Sequence, residues 1–190
     1  MNWRPHEQPL EPLKWLPPFV APSPRRRVFV SYHHGDRRRP GDQLWADQFS
    51  TLFSAIYEVM FDRSLKDPIG SDDLEYVNRT VREDYISGSS VTVLLCGSNT
   101  WRRKCVDWEI YSSLYLRHGL LGIVVPATPM QADGTIRVLD RFHDNLLAGY
   151  AQWLHWTTDP ATLKSAIEAA YQSSQDREPV NWRMKMQRNL

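Results

Sequence analysis

The sequence has few of the features that mark secreted, membrane-spanning or metal-binding proteins. Only two of its 190 residues are cysteines, Cys96 and Cys105, which is too few for the disulfide framework of a small secreted protein. No apolar run approaches the roughly 20 residues that span a bilayer, and the N-terminal residues have prolines and charges where a signal peptide has an apolar segment. We therefore expect a cytoplasmic protein that does not insert into a membrane.

Charge and motif content argue against several further classes. The 23 lysines and arginines nearly balance 22 acidic residues, so the net charge of +1 gives no overall attraction to nucleic acid or to an anionic membrane. No G-x-G-x-x-G or G-x-x-x-x-G-K-[ST] motif supports a dinucleotide-binding dehydrogenase or a P-loop NTPase. The six histidines and two cysteines lack metal-ligand spacing. We expect neither a metal site nor a bound cofactor.

Composition divides the chain into an arm, one domain and a tail. Seven prolines within residues 1–26 exclude helix interiors and central strands, which predicts an N-terminal arm. The aromatic residues of this arm are costly to expose, so we expect parts of it to dock on the domain or on a second subunit. Residues 27–174 have the length and apolar content of a single domain, and residues 175–190 form a polar C-terminal tail.

Short apolar runs separated by helical periodicity predict an α/β domain. The predicted strands are Val28–Tyr32, Val59–Asp62, Val91–Cys96, Leu120–Val125 and Ala151–Trp156. Such a pattern is typical of an open, parallel, five-stranded sheet with helices on both faces. In these sheets ligands bind beyond the carboxyl ends of the strands.

Four helices are predicted from the spacing of apolar side chains. Their core-facing residues are Trp45, Phe49, Leu52, Phe53 and Ile56 in the first, Leu74, Val77, Val81 and Tyr85 in the second, Val106, Ile110 and Leu114 in the third, and Leu163, Ile167 and Ala170 in the last. The third helix is expected to begin near Thr100, with its hydroxyl as the cap. Asp159 and Pro160 are a typical N-cap and first residue for the last helix.

The third helix carries the candidate catalytic chemistry. Helical geometry places Arg102, Cys105, Glu109 and Ser112 along one ridge, turned by roughly 100° from the apolar stripe. Trp108 adjoins this ridge and offers an aromatic surface on which a ring can stack. From geometry alone, the favoured interpretation of Glu109 is an ordinary solvated glutamate that pairs with a nearby arginine.

Four segments of the sequence resemble a known family. They are VFVSYH at 28–33, NTWRRKCVDWEI at 99–110 and GLLGI at 119–123, together with SSVTVLL at 89–95. This set resembles the TIR-like proteins of the bacterial Thoeris antiphage defence system, and the likeness runs from about Arg27 to about Tyr171. It implies a flavodoxin-like fold and cleavage of the bond between nicotinamide and ribose in NAD⁺, with Glu109 as the catalytic glutamate.

The resemblance also implies a substrate, a product and a set of residues that contact the substrate. NAD⁺ would be a substrate rather than a cofactor, and the product would be a cyclic ADP-ribose-type messenger that a separate effector protein senses. Self-association on activation is a further expectation. The residues predicted to contact substrate are Ser31, Tyr32, His33, Asp62, Arg102, Cys105 and Trp108. Aromatic residues at strand ends, such as Tyr32, more often serve only in packing. For Arg102, a solvated ion pair is as good an interpretation as a contact with substrate.

Two alternatives remain open on the sequence. One is a non-catalytic TIR-like module that only assembles with partners, in which Glu109 is structural. The other is a phosphoacceptor receiver domain, because that fold is similar and Asp62 ends a predicted strand. The receiver is the weaker alternative, since His33 and His34 occupy the place where receivers carry an acidic pair after the first strand.

Overall fold

A computed structural model of the chain describes residues 26–35, 41–60, 69–71, 74–126 and 128–189. Almost all of the predicted N-terminal arm lies outside these residues, and so does Asp62. The prediction that Asp62 contacts substrate therefore stays a prediction.

The described strands form one parallel sheet. They are β1 (Arg27–Ser31), β2 (Glu58–Met60), β3 (Val91–Cys96), β4 (Gly119–Val124) and β5 (Ala151–His155), in the order β2-β1-β3-β4-β5. This is the strand order of flavodoxin-like folds. The predicted α/β class and the five parallel strands are confirmed, with most strand ends within one residue of their predicted positions.

Helices cover both faces of the sheet. They are α1 (Gln43–Phe53), α2 (Leu74–Thr80), α3 (Lys104–Tyr115), α4 (Asp140–Leu147) and α5 (Pro160–Asp176). One core lies between the sheet and α1 with α5, and the opposite face packs against α2, α3 and α4. Within the described part of the chain, no helix has the length and apolar character needed to cross a membrane.

The first two helices depart from regular periodicity near their ends. Leu52, predicted to face the core, is 40% exposed. After α2 the chain continues as a π-helical segment, Val81–Ile86, in which the amide of Ser87 bonds the carbonyl of Arg82 at 2.7 Å. Val81 faces the core as predicted and is fully buried. Because a π turn is wider than an α turn, the second fully buried residue of this segment is Ile86, and Tyr85 is only partly buried.

The start of the third helix differs from the prediction. Thr100 does not cap α3, because its hydroxyl donates to Asp42 Oδ2 at 2.8 Å and accepts from the amide of Gly97 at 3.0 Å. Residues Thr100–Arg102 form a 3₁₀ turn, Arg103 is extended, and α3 begins only at Lys104. The predicted cap is therefore wrong, since the hydroxyl is committed to a long-range contact.

The last helix follows its sequence signals. The carboxylate of Asp159 accepts hydrogen bonds from the amides of Ala161 and Thr162, and Pro160 is the first helical residue. The three residues predicted to face the core from α5 are fully buried. The predicted cap and apolar stripe are both confirmed.

The short helix α4 has no counterpart among the predicted helices. Its buried residues are Arg141, Phe142 and Asn145, of which two are polar. The buried guanidinium of Arg141 forms an ion pair with Asp107 at 2.9 Å, and the Asn145 side chain bonds the carbonyl of Val180 at 2.8 Å. Apolar periodicity cannot reveal a helix whose inward side chains are polar and satisfied by distant partners.

The C-terminal segment, residues 177–189, lies across α3 and α4. The amide of Met186 donates to Asp107 at 2.8 Å, and the Met186 carbonyl accepts from the indole of Trp108 at 3.0 Å. The Arg141 guanidinium also donates to Asn181 at 2.7 Å. These bonds satisfy the buried Asp107–Arg141 pair, which would otherwise be costly to bury.

The packing of α5 on β4 depends on Gly119. A Cβ at this position would lie 2.7 Å from three backbone atoms of Ala170 and Tyr171. Backbone atoms cannot rotate away as a flexible side chain can, so helix and strand would have to separate.

We predict that Gly119→Ala lowers the free energy of unfolding by about 1–3 kcal/mol, the usual effect of overpacking. The matched control is Gly70→Ala, because no heavy atom of the residues that the structure describes lies within 4 Å of a Cβ built there. Urea denaturation of both variants measures the difference. Equal stability of the two variants would contradict this account of the α5–β4 contact.

Candidate active site

The central contact of the candidate site joins α3 to the end of β1. Glu109 is fully buried, and its Oε2 accepts a 2.5 Å hydrogen bond from Oγ of Ser31, the last residue of β1. Because the strands are parallel, the carboxyl end of β1 lies at the edge where such sheets bind ligands. The structure thus brings together two predicted site residues that are 78 positions apart in the sequence.

Packing on two sides of α3 accounts for the burial of Glu109. Val106 and Ile110 pack into the core beside β3, β4 and α4. On another side, Cys105 and Trp108 pack with Phe29 of β1 and with the helical segment before β3. The interpretation of Glu109 as a solvated surface glutamate is therefore wrong. Helix geometry alone could not reveal its burial, since it does not show that other elements cover α3 beyond the apolar stripe.

A second hydroxyl network holds α3 against β3. Ser113 Oγ donates to the carbonyl of Glu109 at 2.8 Å and lies 2.7 Å from Thr92 Oγ1 on β3. All three residues are buried. Polar groups on β3 and α3 therefore fix the turn of helix that carries the carboxylate.

Arg102 is separated from the predicted ridge. It belongs to the 3₁₀ turn, and the extended Arg103 interrupts the helix before α3 begins. Its guanidinium donates to the side chain of Asn99. The predicted ridge assumed one continuous helix from Thr100, which would place Arg102 in line with Glu109. The structure contradicts this continuous helix.

The first-strand residues Tyr32 and His33 are buried beside the site edge. The Tyr32 hydroxyl donates to the Gln43 side chain at 2.8 Å, and the His33 carbonyl accepts from the amide of Asp42 at 2.6 Å. Tyr32 is only 2% exposed. Both residues anchor the start of α1 to the end of β1, so they shape this edge through packing.

Trp108 and Cys105 lie on the side of α3 that packs against the segment before β3. Trp108 is 6% exposed, and its indole N–H donates to the C-terminal segment rather than toward Ser31. Cys105 is half-buried in the same cluster. The structure assigns Trp108 a packing role, so its predicted stacking surface is largely covered.

The described residues contain no group of three or more histidine, cysteine or acidic side chains arranged to hold a metal ion.

A second buried carboxylate, Asp42, links two loops at this edge. It directly precedes α1, a position typical of a helix cap, yet its side chain makes no capping hydrogen bond. It binds Thr100 after β3 instead, and a Cβ at Gly97 would lie 1.9 Å from its Oδ1. Sequence reasoning missed Asp42 because only the fold reveals the cross-strand contact.

Burial raises the pKa of Asp42 from 3.8 to about 6, although bonds from Thr100 and His33 and the charge of Arg103 oppose the rise. The folded state therefore binds a proton more tightly than the unfolded state. The stability that protonation contributes is fully present below pH 3.8 and is lost as the pH rises through about 6.

We predict that Asp42→Asn removes this pH dependence, because the amide keeps an oxygen for Thr100 and carries no charge. Relative to wild type, the variant should gain at most about 3 kcal/mol between pH 4 and pH 7. Thermal unfolding across that range measures the change, with the exposed Asp47→Asn on α1 as control. A stability difference that does not vary with pH would show that Asp42 titrates normally.

The sequence is similar to a family of known proteins. No curated protein matches the sequence. A family model described as Thoeris protein ThsB, TIR-like domain, matches residues 29–130, which is more than half of the chain. The match begins within β1, extends past the end of β4 and includes both Ser31 and Glu109. The chain therefore belongs to the Thoeris ThsB TIR-like domain family.

Proposed function

We propose that this protein cleaves the bond between nicotinamide and ribose in NAD⁺, with Glu109 as the catalytic residue. The observation that carries the proposal is the buried Glu109 carboxylate, held by Ser31 at the carboxyl edge of a TIR-like domain's sheet. A buried carboxylate costs stability, and its retention at a ligand-binding edge supports a chemical role.

The reaction suits a single carboxylate. When the bond between ribose C1′ and the pyridinium nitrogen breaks, the electron pair stays with nicotinamide, which leaves as a neutral molecule. No acid is needed for this departure, while positive charge develops on the ribose. Glu109 would stabilise that charge and would hold the ribose hydroxyls through charge-assisted hydrogen bonds.

The acceptor determines the product. Attack by water at C1′, with loss of a proton, gives ADP-ribose, whereas attack by a nucleophile of the same molecule gives a cyclic product. The family of the chain supports the second outcome in defence, with a cyclic ADP-ribose-type messenger that reaches an effector protein by diffusion. In this proposal NAD⁺ is a substrate in the cytoplasm, and no bound cofactor takes part.

The burial of Glu109 also bears on regulation. A carboxylate with 0% exposure cannot touch a ribose until the groups that cover it move. We therefore propose that activation opens this edge, with self-association as the means, and that the resting protein turns over little NAD⁺.

The same burial favours a second candidate function. A non-catalytic TIR-like module, in which the Ser31–Glu109 bond serves only to join α3 to β1, also fits a fully covered carboxylate. Substitution of Glu109 separates the two functions, because only the enzyme requires a carboxylate at this position.

We predict that Glu109→Gln lowers nicotinamide release by at least about 100-fold, because the amide cannot stabilise the developing positive charge. Bacteria that express the protein and are challenged with phages supply the activating signal, and mass spectrometry of their extracts measures nicotinamide and any cyclic product.

The matched control for this substitution is Glu178→Gln, since Glu178 lies in the C-terminal segment and its side chain is 83% exposed. Its activity should equal that of wild type. Melting temperatures of the purified proteins verify folding. A folded Glu109→Gln variant that releases nicotinamide at the wild-type rate would refute the assignment.

We further predict that Ser31→Ala lowers the same activity by about tenfold, because one hydrogen bond that orients the carboxylate is lost. Ser31→Thr, which keeps the hydroxyl, should retain more activity than the alanine variant. If the two Ser31 variants were equally active and equally stable, the hydroxyl would have no positioning role.

A further inference from the structure

A groove of about 500 Å³ lies on the other side of α3 from Ser31. The 3₁₀ turn, the start of α4 and the C-terminal segment form its walls. Asp107 lines the groove, and Glu109 is two residues later, which is roughly 200° around the helix. The groove is therefore a separate surface from the Ser31–Glu109 site.

The groove is rich in arginine and tryptophan. Its lining includes Trp101, Trp182, Arg137, Arg141, Arg183 and Arg188. Asp107 and Asp140 are its acidic lining residues, so the wall carries an excess of two positive charges. An excess of this sign favours an anionic ligand.

Two of the four arginines are held by acidic partners. Arg141 pairs with Asp107 at 2.9 Å, and Arg183 pairs with Asp144 and lies 3.7 Å from Asp140. These ion pairs form part of the groove wall, and they leave little positive charge on Arg141 and Arg183 for binding an anion.

The other two arginines supply the uncompensated charge. Arg137 and Arg188 form no ion pair with any residue that the structure describes, and both are exposed. Exposed guanidinium groups without an acidic partner bind phosphate oxygens well, because their planar donors match the geometry of the anion.

The start of α4 adds hydrogen-bond donors to the same wall. Its N-cap residue, Leu139, has no side chain that can accept from the first-turn amides, and residues 137–141 all line the groove. Helix N-termini attract anions through these amides. Asp140 opposes this attraction, but its side chain is 82% exposed and lies near Arg183.

An aromatic platform lies beside these donors. The Arg137 guanidinium carbon is 3.5 Å from the centroid of the Trp101 ring. A guanidinium stacked on an indole covers that face of the ring and presents its own outer face, on which a planar base can stack. Trp182 is 75% exposed in the same groove, so a ligand ring could also cover its indole.

We propose that this groove binds a nucleotide, with its base on the Trp101–Arg137 platform and its phosphate at Arg188 and the start of α4. The site is distinct from Glu109, so the proposal stands whether or not the protein cleaves NAD⁺. The combination of unpaired guanidinium groups, helix amides and indole faces is what distinguishes a nucleotide from a simple anion.

The test uses AMP as the probe, titrated into the full-length protein by calorimetry. Adenosine carries the base alone and ribose 5-phosphate carries the phosphate alone. We expect saturable binding of AMP at one site, with each of the partial probes at least about tenfold weaker. Ribose 5-phosphate that binds as tightly as AMP would overturn the base-stacking part of the proposal, and absence of saturable AMP binding would overturn all of it.

Two variants and two controls assign the site. Arg188→Ala and Arg137→Ala should each weaken AMP binding by about tenfold. Lys164→Ala removes the same charge from an exposed position on α5 and should leave the affinity unchanged. Glu109→Gln should also bind AMP normally. If Glu109→Gln abolishes AMP binding while both arginine variants retain it, AMP occupies the Glu109 site and the groove proposal fails.

Discussion

The hydrogen bond between Ser31 and Glu109 is the contact on which the candidate site depends. It places a carboxylate inside the protein, where an unpaired charge would be strongly destabilising. The bond crosses from α3 to the end of β1, so it can form only when the helix packs at the correct height on the sheet. The Ser113–Thr92 contact fixes the same helix against β3. Fold and site are therefore coupled through α3.

The other side of α3 is held by a second set of buried polar groups. Asp107, Arg141 and the C-terminal segment satisfy one another in a region that apolar packing alone does not fill. The same segment bonds the indole of Trp108, which adjoins Glu109 in the sequence. The C-terminal segment thus helps to position the helix that carries the carboxylate, and it also forms one wall of the arginine-rich groove.

The sequence predicted the sheet well because apolar runs and cap residues are local signals. Strand positions, the five-stranded sheet and the Asp159 cap all follow from residues close together in the chain. The contacts that were missed are long-range and polar. Helix α4 turns Arg141 and Asn145 inward, Asp42 crosses to Thr100, and Thr100 is consequently unavailable as a cap. Periodicity indicated that Glu109 faces the ligand-binding edge, but its complete burial arises from the packing of separate elements on α3.

The proposed reaction requires the Glu109 side chain to contact the nicotinamide ribose of NAD⁺. The most direct measurement is an experimental structure of the Glu109→Gln variant with intact NAD⁺ bound. We predict that the ribose hydroxyls lie within hydrogen-bond distance of residue 109, at the end of β1, and that the groups covering this side chain have moved. NAD⁺ bound only in the arginine-rich groove, with residue 109 still covered and bonded to Ser31, would contradict this prediction.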